Sequence, residues 1–596
     1  MKIAACSLNQ IPLDWTGNLF RIQEAIDEAR KQGARLLLCP ELSLTGYGCE
    51  DYFLMPWVAE KAFQLLISEI LPLSHGLLLA VGLPYSTSGK RYNGLAVCRD
   101  GQLEGIYLKQ ILARDGVFYE PRWFDPWLPN VVSKEKKEGH SFSIGDFTVN
   151  WNGMEVGFEI CEDAWHPTRR PALFGAAQNA GLILNPSASN FARGKQEDRH
   201  AILTSLSSKP EVWYLYANLL GNESGRLIFD GEIFLGKGSQ VLASSPLLQM
   251  KEVVVKSFDL QASDSWTLAH QEDDFEEFTA AASLGLLDYL RKSGSKGFAL
   301  SLSGGADSAA CAVLVSEMLR RAEKQLGKNN LEIHLGFSLE GPDVPAWTMQ
   351  MLACVYQGTK QSGSVTRNAA RQLANSIGAR YSEWEIDAVV DQFTKTIEKD
   401  LGRNLSWATD DLALQNIQAR SRAPGIWMLA NTFQFLLLTT SNRSEGDVGY
   451  CTMDGDTSGS LAPLAGVSKH FIRQWLIWAR NVLGYTALDA IIGQAPTAEL
   501  RPPESGQTDE GDLMPYELME AIEERFLFLK LDEEGIVANL LKTRSESPEY
   551  LKAMVSRFTG LWKRNQWKRE RLAPSFHLDR FNIDPKSMGR FPIFSR

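Results

Sequence analysis

The stretch Gly297-Phe298-Ala299-Leu300-Ser301-Leu302-Ser303-Gly304-Gly305-Ala306-Asp307-Ser308 decides how the second half of the chain folds. Its apolar first half predicts a strand, its middle a tight turn, and the apolar run Ala309 to Leu319 a helix. That order opens an α/β unit. The turn also carries chemistry. Glycines let backbone N–H groups approach a ligand closely, and the helix N-terminus adds partial positive charge, so the loop suits a phosphate or pyrophosphate. Ser303 and Ser308 add hydroxyl donors, and Asp307 is a candidate ligand for a divalent cation. The chain contains neither GxxxxGK[ST] nor GxGxxG, so neither a Walker loop nor a dinucleotide fingerprint for hydride transfer is present.

Downstream, helices are expected over Arg367 to Ile377 and Pro424 to Leu438, and a loop of small polar residues and carboxylates runs from Leu438 to Lys469. Upstream, Ala34 to Cys39, Leu77 to Val81 and Leu182 to Leu184 read as buried strands, with helices over Asn18 to Lys31 and Trp57 to Ile70. Asp100-Gly101 and Asn152-Gly153 are hairpin turns, because both dipeptides tolerate positive φ. Residues 261–277 are acidic and lack a core period, which predicts a linker between a domain over 1–260 and a second over 278–596. From Trp562 onward nine Lys or Arg face three Asp or Glu, a local charge of +6. This tail is nucleotide-facing, subunit-contacting or simply structural.

The chain has 596 residues, 44% hydrophobic and 22% charged, with formal net charge −11, which is globular composition and argues against a general nucleic-acid binder. No apolar stretch reaches the roughly 18–20 residues of a membrane span, and the first residues lack the apolar core of a secretory signal. The eight cysteines are scattered with no CxxC pair. A cytoplasmic multidomain protein with small-molecule partners, and neither nucleic acid nor membrane, is the expectation.

Three reactive residues follow apolar strand candidates: Glu41, Lys109 and Cys161. In layered α/β folds the carboxyl ends of neighbouring strands converge, so residues far apart in sequence meet there. A thiol attacks an amide carbon when a carboxylate takes its proton, an ammonium stabilises the oxyanion, and the resulting acid protonates the departing amine. Taken singly, the cysteine is a small core residue, the lysine a surface charge and the glutamate a helix cap.

The local sequences decide between these readings. Pro40-Glu41-Leu42-Ser43-Leu44-Thr45-Gly46-Tyr47, Lys109 with Phe118-Tyr119-Glu120-Pro121-Arg122-Trp123-Phe124, and Glu159-Ile160-Cys161-Glu162-Asp163-Ala164-Trp165 resemble the glutamate, lysine and cysteine signatures of the nitrilase superfamily. The resemblance implies an α-β-β-α sandwich with Glu41 as base, Lys109 as oxyanion stabiliser, Cys161 as nucleophile and Glu120 as auxiliary carboxylate. His166 is expected to be an ordinary turn residue, since that pattern needs no histidine. Ser303 to Ser308 resembles the PP-loop of N-type ATP pyrophosphatases, which implies a doubly wound α/β domain that adenylates a carbonyl oxygen.

Thr366-Arg367-Asn368, Asn416-Ile417-Gln418-Ala419-Arg420, Ser441-Asn442-Arg443-Ser444-Glu445, Pro496-Thr497-Ala498-Glu499 and Gln507-Thr508-Asp509-Glu510 resemble NAD synthetase signatures. A nitrilase-like domain ahead of them is the layout of the glutamine-dependent NAD synthetase family. By that resemblance Ser303, Gly304, Gly305, Ala306, Asp307, Ser308, Thr440, Lys469 and Thr497 contact ATP as co-substrate. Asp307 and Glu445 hold Mg²⁺, while Asn416, Arg420 and Glu445 face deamido-NAD. Tyr47, Asp115, Ser189 and Lys195 are the expected glutamine contacts, Asp115 meeting the α-amino group. The family's self-association implies a homo-oligomer. The chain departs from the pattern at three places: Met453 stands where short relatives carry lysine, Ser460 where they carry aspartate, and Ala113-Arg114-Asp115 where many glutamine-using relatives have Pro-x-Tyr. Two other readings use the same motifs: a glutamine-fed PP-loop ligase with a different carboxylate acceptor, and a catalytically dead nucleotide-binding assembly protein.

Overall fold

The computed structural model describes residues 1–262, 266–270, 272–360, 362–494, 500–501, 509–584 and 586. The chain divides into two compact units, Met1–Glu277 and Phe278–Arg596.

The first unit holds an eight-stranded and a six-stranded sheet. The larger runs in the order Val253–Asp259, Lys2–Leu8, Leu36–Leu38, Leu78–Thr87, Lys90–Arg99, Gln102–Leu108, His140–Gly145, Val132–Lys137. The smaller runs Gln240–Ser244, Ile233–Lys237, Trp213–Asn218, Leu182–Ser187, Met154–Phe158, Val149–Trp151. Side chains alternate across a strand. Ile3 and Ala5 therefore pack with Val156, Phe158 and Leu184 between the sheets. Ala4, Cys6 and Leu8 turn the other way, onto Ile22, Ala25, Ile26 and Ala29. Those four share one face of the helix Trp15–Lys31, which Asp14 caps by accepting the Gly17 amide at 3.0 Å. On the far side Ile183, Tyr214 and Phe234 pack against Ile202, Leu203 and Leu206. The result is the expected α-β-β-α sandwich. Asp100-Gly101 and Asn152-Gly153 turn the hairpins Lys90–Arg99/Gln102–Leu108 and Val149–Trp151/Met154–Phe158, with positive φ at all four residues.

The second unit is built on a four-stranded parallel sheet in the order Arg380–Glu385, Leu352–Gly358, Phe298–Ser301, Leu436–Leu438. The first strand lies between the second and the last, so the order reverses beside it, and ligands bind at the carboxyl ends of such strands. The 302–305 loop and Thr439–Thr440 leave the sheet on either side of that point. Ala306–Leu335 is the helix after the loop, with a non-helical Gly327 inside it.

One sequence expectation needs correction. Pro424 to Leu438 is not one helix: the helix is Asp411–Phe433, with Pro424 inside it, and Leu436–Leu438 is a strand. Gln434, at φ 59°, ends the helix in the left-handed region, and the apolar run that follows pairs with Phe298–Leu300. A short apolar run has no period that separates buried helix from buried strand. The acidic 261–277 stretch already contains the start of a helix, Asp274–Lys292. The basic tail is packed into the second unit: Trp562 and Ile583 are core residues, and Ser575 bridges Ala462.

Candidate functional site

In the first unit the strand ends bring the three expected residues together. Lys109 Nζ donates to Glu41 Oε1 at 2.7 Å and to Glu120 Oε1 at 2.8 Å, with all three side chains buried. Asn93 Nδ2 also donates to Glu41 Oε1, at 2.7 Å. Tyr47 OH donates to Glu120 Oε1 at 2.8 Å, and the Ala113 amide to Glu120 Oε2 at 3.1 Å. Glu41 Oε2 is buried with no hydrogen-bond partner among the described residues. Gly82 makes room for this arrangement, because a Cβ there would lie 2.3 Å from the Leu42 amide nitrogen and 2.6 Å from the Pro40 carbonyl oxygen.

The electrostatics fit proton transfer. Burial pushes Glu41 up to about 7, with Lys109 pulling it down and Glu120 adding to the rise. Burial works against the Lys109 ammonium, but Glu120 and Glu41 outweigh it and keep the lysine charged. Burial, then the charge of Glu41, pushes the Cys161 thiol far above its ordinary value, with Lys109 opposing. Cys161 is therefore a thiol at neutral pH and needs a base to react. It sits at φ 43°, an uncommon conformation for a residue with a side chain. Asp163, two residues on, accepts the Ile160, Gln110 and Ile111 amides and the Tyr107 hydroxyl.

The expected glutamine contacts divide. Lys195 is half-buried and donates to Asn190 Oδ1 at 2.5 Å; burial, then Arg199, lowers it to about 8. Ser189 is buried, its backbone paired both ways with the Asn218 side chain at 2.8 Å. Tyr47 bonds Glu120 as described. Asp115 is exposed, and its backbone carbonyl accepts the Phe118 amide. His166 pairs with Glu162 at 2.9 Å, one helical turn away.

In the second unit a cavity of about 780 Å³ opens at the reversal point of the sheet. Ser303, Gly305, Ala306, Asp307 and Ser308 line it, with Thr440, Glu445 and Lys469 opposite. Gly304 has φ 82°, and a Cβ there would lie 2.1 Å from the Thr366 carbonyl oxygen, so only glycine lets the turn pack there. Ser308 Oγ accepts the Ser303 amide at 3.2 Å and closes the turn. Lys469 Nζ joins the two expected carboxylates, pairing with Asp307 Oδ2 and with Glu445 Oε1, the latter at 3.3 Å. Asn442 caps the short helix Arg443–Val448, accepting the Glu445 amide at 3.0 Å and donating to Asp307 Oδ1 at 3.3 Å. Burial, opposed by Lys469 and reinforced by Asp307, raises Glu445 to about 8. Among the described residues no cluster of three or more His, Cys, Asp or Glu forms a metal cage. Two convergent carboxylates nonetheless match Mg²⁺, which takes few protein ligands and completes its shell with phosphate and water.

Asn416 lines the cavity and accepts the Thr452 hydroxyl at 2.8 Å; Arg420 Nε donates to the Met453 carbonyl at 3.0 Å. Met453 itself faces the cavity. Ser460 bonds the backbone of Leu437. Thr497 and the neighbouring 495–499 and 502–508 signatures lie outside the described residues.

Sequence reading missed Asn93, whereas a nucleotide-facing place was among the expectations for the basic tail. Asn93-Gly94 looks like a turn, yet it lies inside the strand Lys90–Arg99; with Lys90, Arg91 and Tyr92 before it and Gly94 after it, no local pattern marked it. Trp567 and Lys568 bring the tail into the cavity wall, Lys568 Nζ bonding the Gly449 and Cys451 carbonyls at 2.7 and 2.9 Å.

Both units match known protein families. The carbon–nitrogen hydrolase family matches residues 2–254 and the NAD synthase family residues 279–571. A glutamine-dependent NAD(+) synthetase from Saccharomyces cerevisiae is 28% identical over 100% of this chain and 96% of its own. A putative one from Schizosaccharomyces pombe is 28% identical over 98% and 95%. The crystal structure of a glutamine-dependent NAD(+) synthetase from Cytophaga hutchinsonii superposes with a TM-score of 0.90, at 41% identity over 100% of this chain and 98% of that one. With two family matches in tandem and end-to-end similarity in sequence and structure, the chain belongs to the glutamine-dependent NAD(+) synthetase family.

Proposed function

We propose that the protein amidates deamido-NAD to NAD with nitrogen from glutamine, consuming ATP and releasing AMP and pyrophosphate. The observation that carries this reading is the pair of built sites on one chain: the buried Glu41–Lys109–Glu120 cluster beside Cys161, and the PP-loop cavity with Asp307, Glu445 and Lys469. We assign the first to a domain over 1–260, the second to one over 278–596, and 261–277 to the linker.

In the first site Cys161 Sγ attacks the side-chain amide carbon of glutamine as Glu41 Oε2 takes the thiol proton. Lys109 stabilises the oxyanion. Glu41 returns the proton to the departing nitrogen, so ammonia leaves and a glutamyl thioester remains. Water, deprotonated by Glu41, releases glutamate and restores the thiol. Glu120 and Tyr47 hold Lys109 in place, and Lys195 and Ser189 bind glutamine.

In the second site the loop Ser303–Ser308, with Thr440, Lys469 and Thr497, holds ATP. Asn416, Arg420 and Glu445 face deamido-NAD. The nicotinate carboxylate attacks the α-phosphorus and pyrophosphate departs. Ammonia adds to the acyl adenylate and AMP leaves. Asp307 and Glu445 would hold Mg²⁺, which when bound offsets phosphate charge. Lys469, kept charged by both carboxylates, supplies fixed positive charge to the same phosphates.

Two further assignments complete the reading. The helix Asp387–Leu401 has no buried residue and exposes Val389, Phe393, Ile397 and Leu401 at four-residue spacing. We assign this stripe to contact with a second copy in a homo-oligomer. No described helix is long and apolar enough to cross a membrane. All eight cysteines are free of disulfides, which suits the reducing cytoplasm.

The decisive experiment feeds glutamine labelled at its side-chain amide nitrogen and weighs the NAD formed. Label in the nicotinamide is the expected result. Cys161→Ala should abolish that transfer while ammonia-driven synthesis continues. Unlabelled NAD from the unmodified enzyme, with every reactant present, would sink the reading.

A further inference from the structure

Cys161 occupies the left-handed region, at φ 43°. Such a conformation is strained for a side-chain-bearing residue and persists only where its surroundings enforce it. Two bonds bracket it: the Ile160 amide donates to Asp163 Oδ2 at 2.9 Å, and the Asp163 amide donates to the Ile160 carbonyl at 3.0 Å. The other oxygen of the same carboxylate reaches a different part of the chain. Asp163 Oδ1 accepts the amides of Gln110 at 3.0 Å and Ile111 at 2.8 Å, directly after Lys109. Tyr107 OH donates to Oδ2 at 3.0 Å and receives Gln110 Nε2 at 3.1 Å. Asp163, Tyr107 and Lys109 are all fully buried.

We propose that Asp163 is a positioning residue for glutamine hydrolysis, one carboxylate that ties the strained Cys161 turn to the loop leaving Lys109 and so sets the distance between nucleophile and oxyanion stabiliser. This rests on the roles assigned above to Cys161 and Lys109. Both oxygens must accept, and although burial raises this carboxyl to about 7, the Ile160 amide and the Lys109 ammonium favour its ionised form. Four donors converge on two oxygens, three of them backbone amides that cannot reverse direction. A near-isosteric amide keeps one accepting oxygen and turns an NH₂ toward the remaining donors. Asp163→Asn therefore releases either the cysteine turn or the lysine loop while leaving substrate contacts untouched.

The test measures glutamate release from glutamine by the full chain, with turnover expressed per Cys161 that iodoacetamide can label, so that loss of folded enzyme does not count. For Asp163→Asn the expected result is a turnover number about 10²-fold lower, the scale of a displacement near 1 Å. The KM for glutamine should stay within about threefold, because the lost alignment acts on the transition state. Tyr107→Phe, which removes one hydroxyl and no amide bond, should lower turnover by roughly three- to tenfold at unchanged KM. Turnover of Asp163→Asn within about threefold of the unmodified enzyme would overturn the proposal. If that variant does not fold, unchanged turnover in Tyr107→Phe overturns it instead. Cys161→Ala, with glutamate release expressed per mole of folded protein, separates the two layers: if it still releases glutamate, the assignment of the nucleophile is wrong, whatever Asp163 does.

Discussion

Glu41→Gln is the substitution whose consequence can be worked furthest. Glu41 Oε1 already accepts from Lys109 and Asn93, both at 2.7 Å, and a glutamine oxygen can keep both bonds. Lys109 retains Glu120 at 2.8 Å as its counter-ion. Two carboxylates and one ammonium become one of each, so the buried cluster loses an uncompensated negative charge and the melting temperature should hold or rise. Oε2, the oxygen without a partner, becomes an NH₂ that can take no proton. Burial has pushed the Cys161 thiol far above its ordinary value, so spontaneous ionisation cannot replace the base. General-base catalysis contributes about 10²–10⁴-fold, and with so weak an acid as substrate we expect about 10³, or about 4 kcal/mol of barrier. The assay is NAD formation with glutamine or ammonia as donor. Glutamine-driven synthesis should fall by that factor, with ammonia-driven synthesis unchanged. Because Glu41 lies near 7 and only its ionised form accepts a proton, glutamine hydrolysis by the unmodified enzyme should climb with pH through about 7. That limb should vanish in the variant. Retention of more than about a tenth of the glutamine-driven rate would refute Glu41 as the base.

Gly304→Ala places a Cβ 2.1 Å from the Thr366 carbonyl oxygen at φ 82°; NAD synthesis from either donor should be lost, while glutamate release, assayed alone, survives. Normal ATP-dependent turnover in that variant would show that the turn tolerates a side chain. Asp307→Asn leaves Lys469 paired with Glu445 at 3.3 Å, and ammonia-driven synthesis should drop by about 10²-fold or more with a higher Mg²⁺ requirement; unchanged metal dependence removes Asp307 from the metal site. Phe393→Asp combined with Ile397→Asp should shift light scattering from oligomer to a smaller species; an unaltered mass would clear the Asp387–Leu401 helix of any contact role.

The chemistry-bearing segments were legible because their reasons are local. A glycine-rich turn between strand and helix, and a glutamate, lysine and cysteine each ending an apolar run, are visible in a few residues. The sandwich was legible only through the nitrilase resemblance; packing decided that Ile3 and Ala5 face one layer and Ala4 and Cys6 the other. Where local reasons conflicted, reading failed. Pro424 argued against helix interior, and helix and strand share the apolar run ending at Leu438; packing and pairing with Phe298–Leu300 settled both.

Residue order alone shows which side chains could react and which strand or loop carries each. Which of them meet is settled by packing in three dimensions. Glu41, Asn93, Lys109 and Glu120 come within hydrogen-bond distance because strands Leu36–Leu38, Leu78–Thr87, Lys90–Arg99 and Gln102–Leu108 are neighbours in one sheet, and that order is set by pairing across the whole unit. The same holds for Asp307, Glu445 and Lys469, up to 162 residues apart and joined where two parallel strands diverge. Burial, which tunes Glu41 and raises Cys161, is likewise a property of the packed molecule, because desolvation depends on what surrounds a charge in three dimensions and not on its neighbours along the chain.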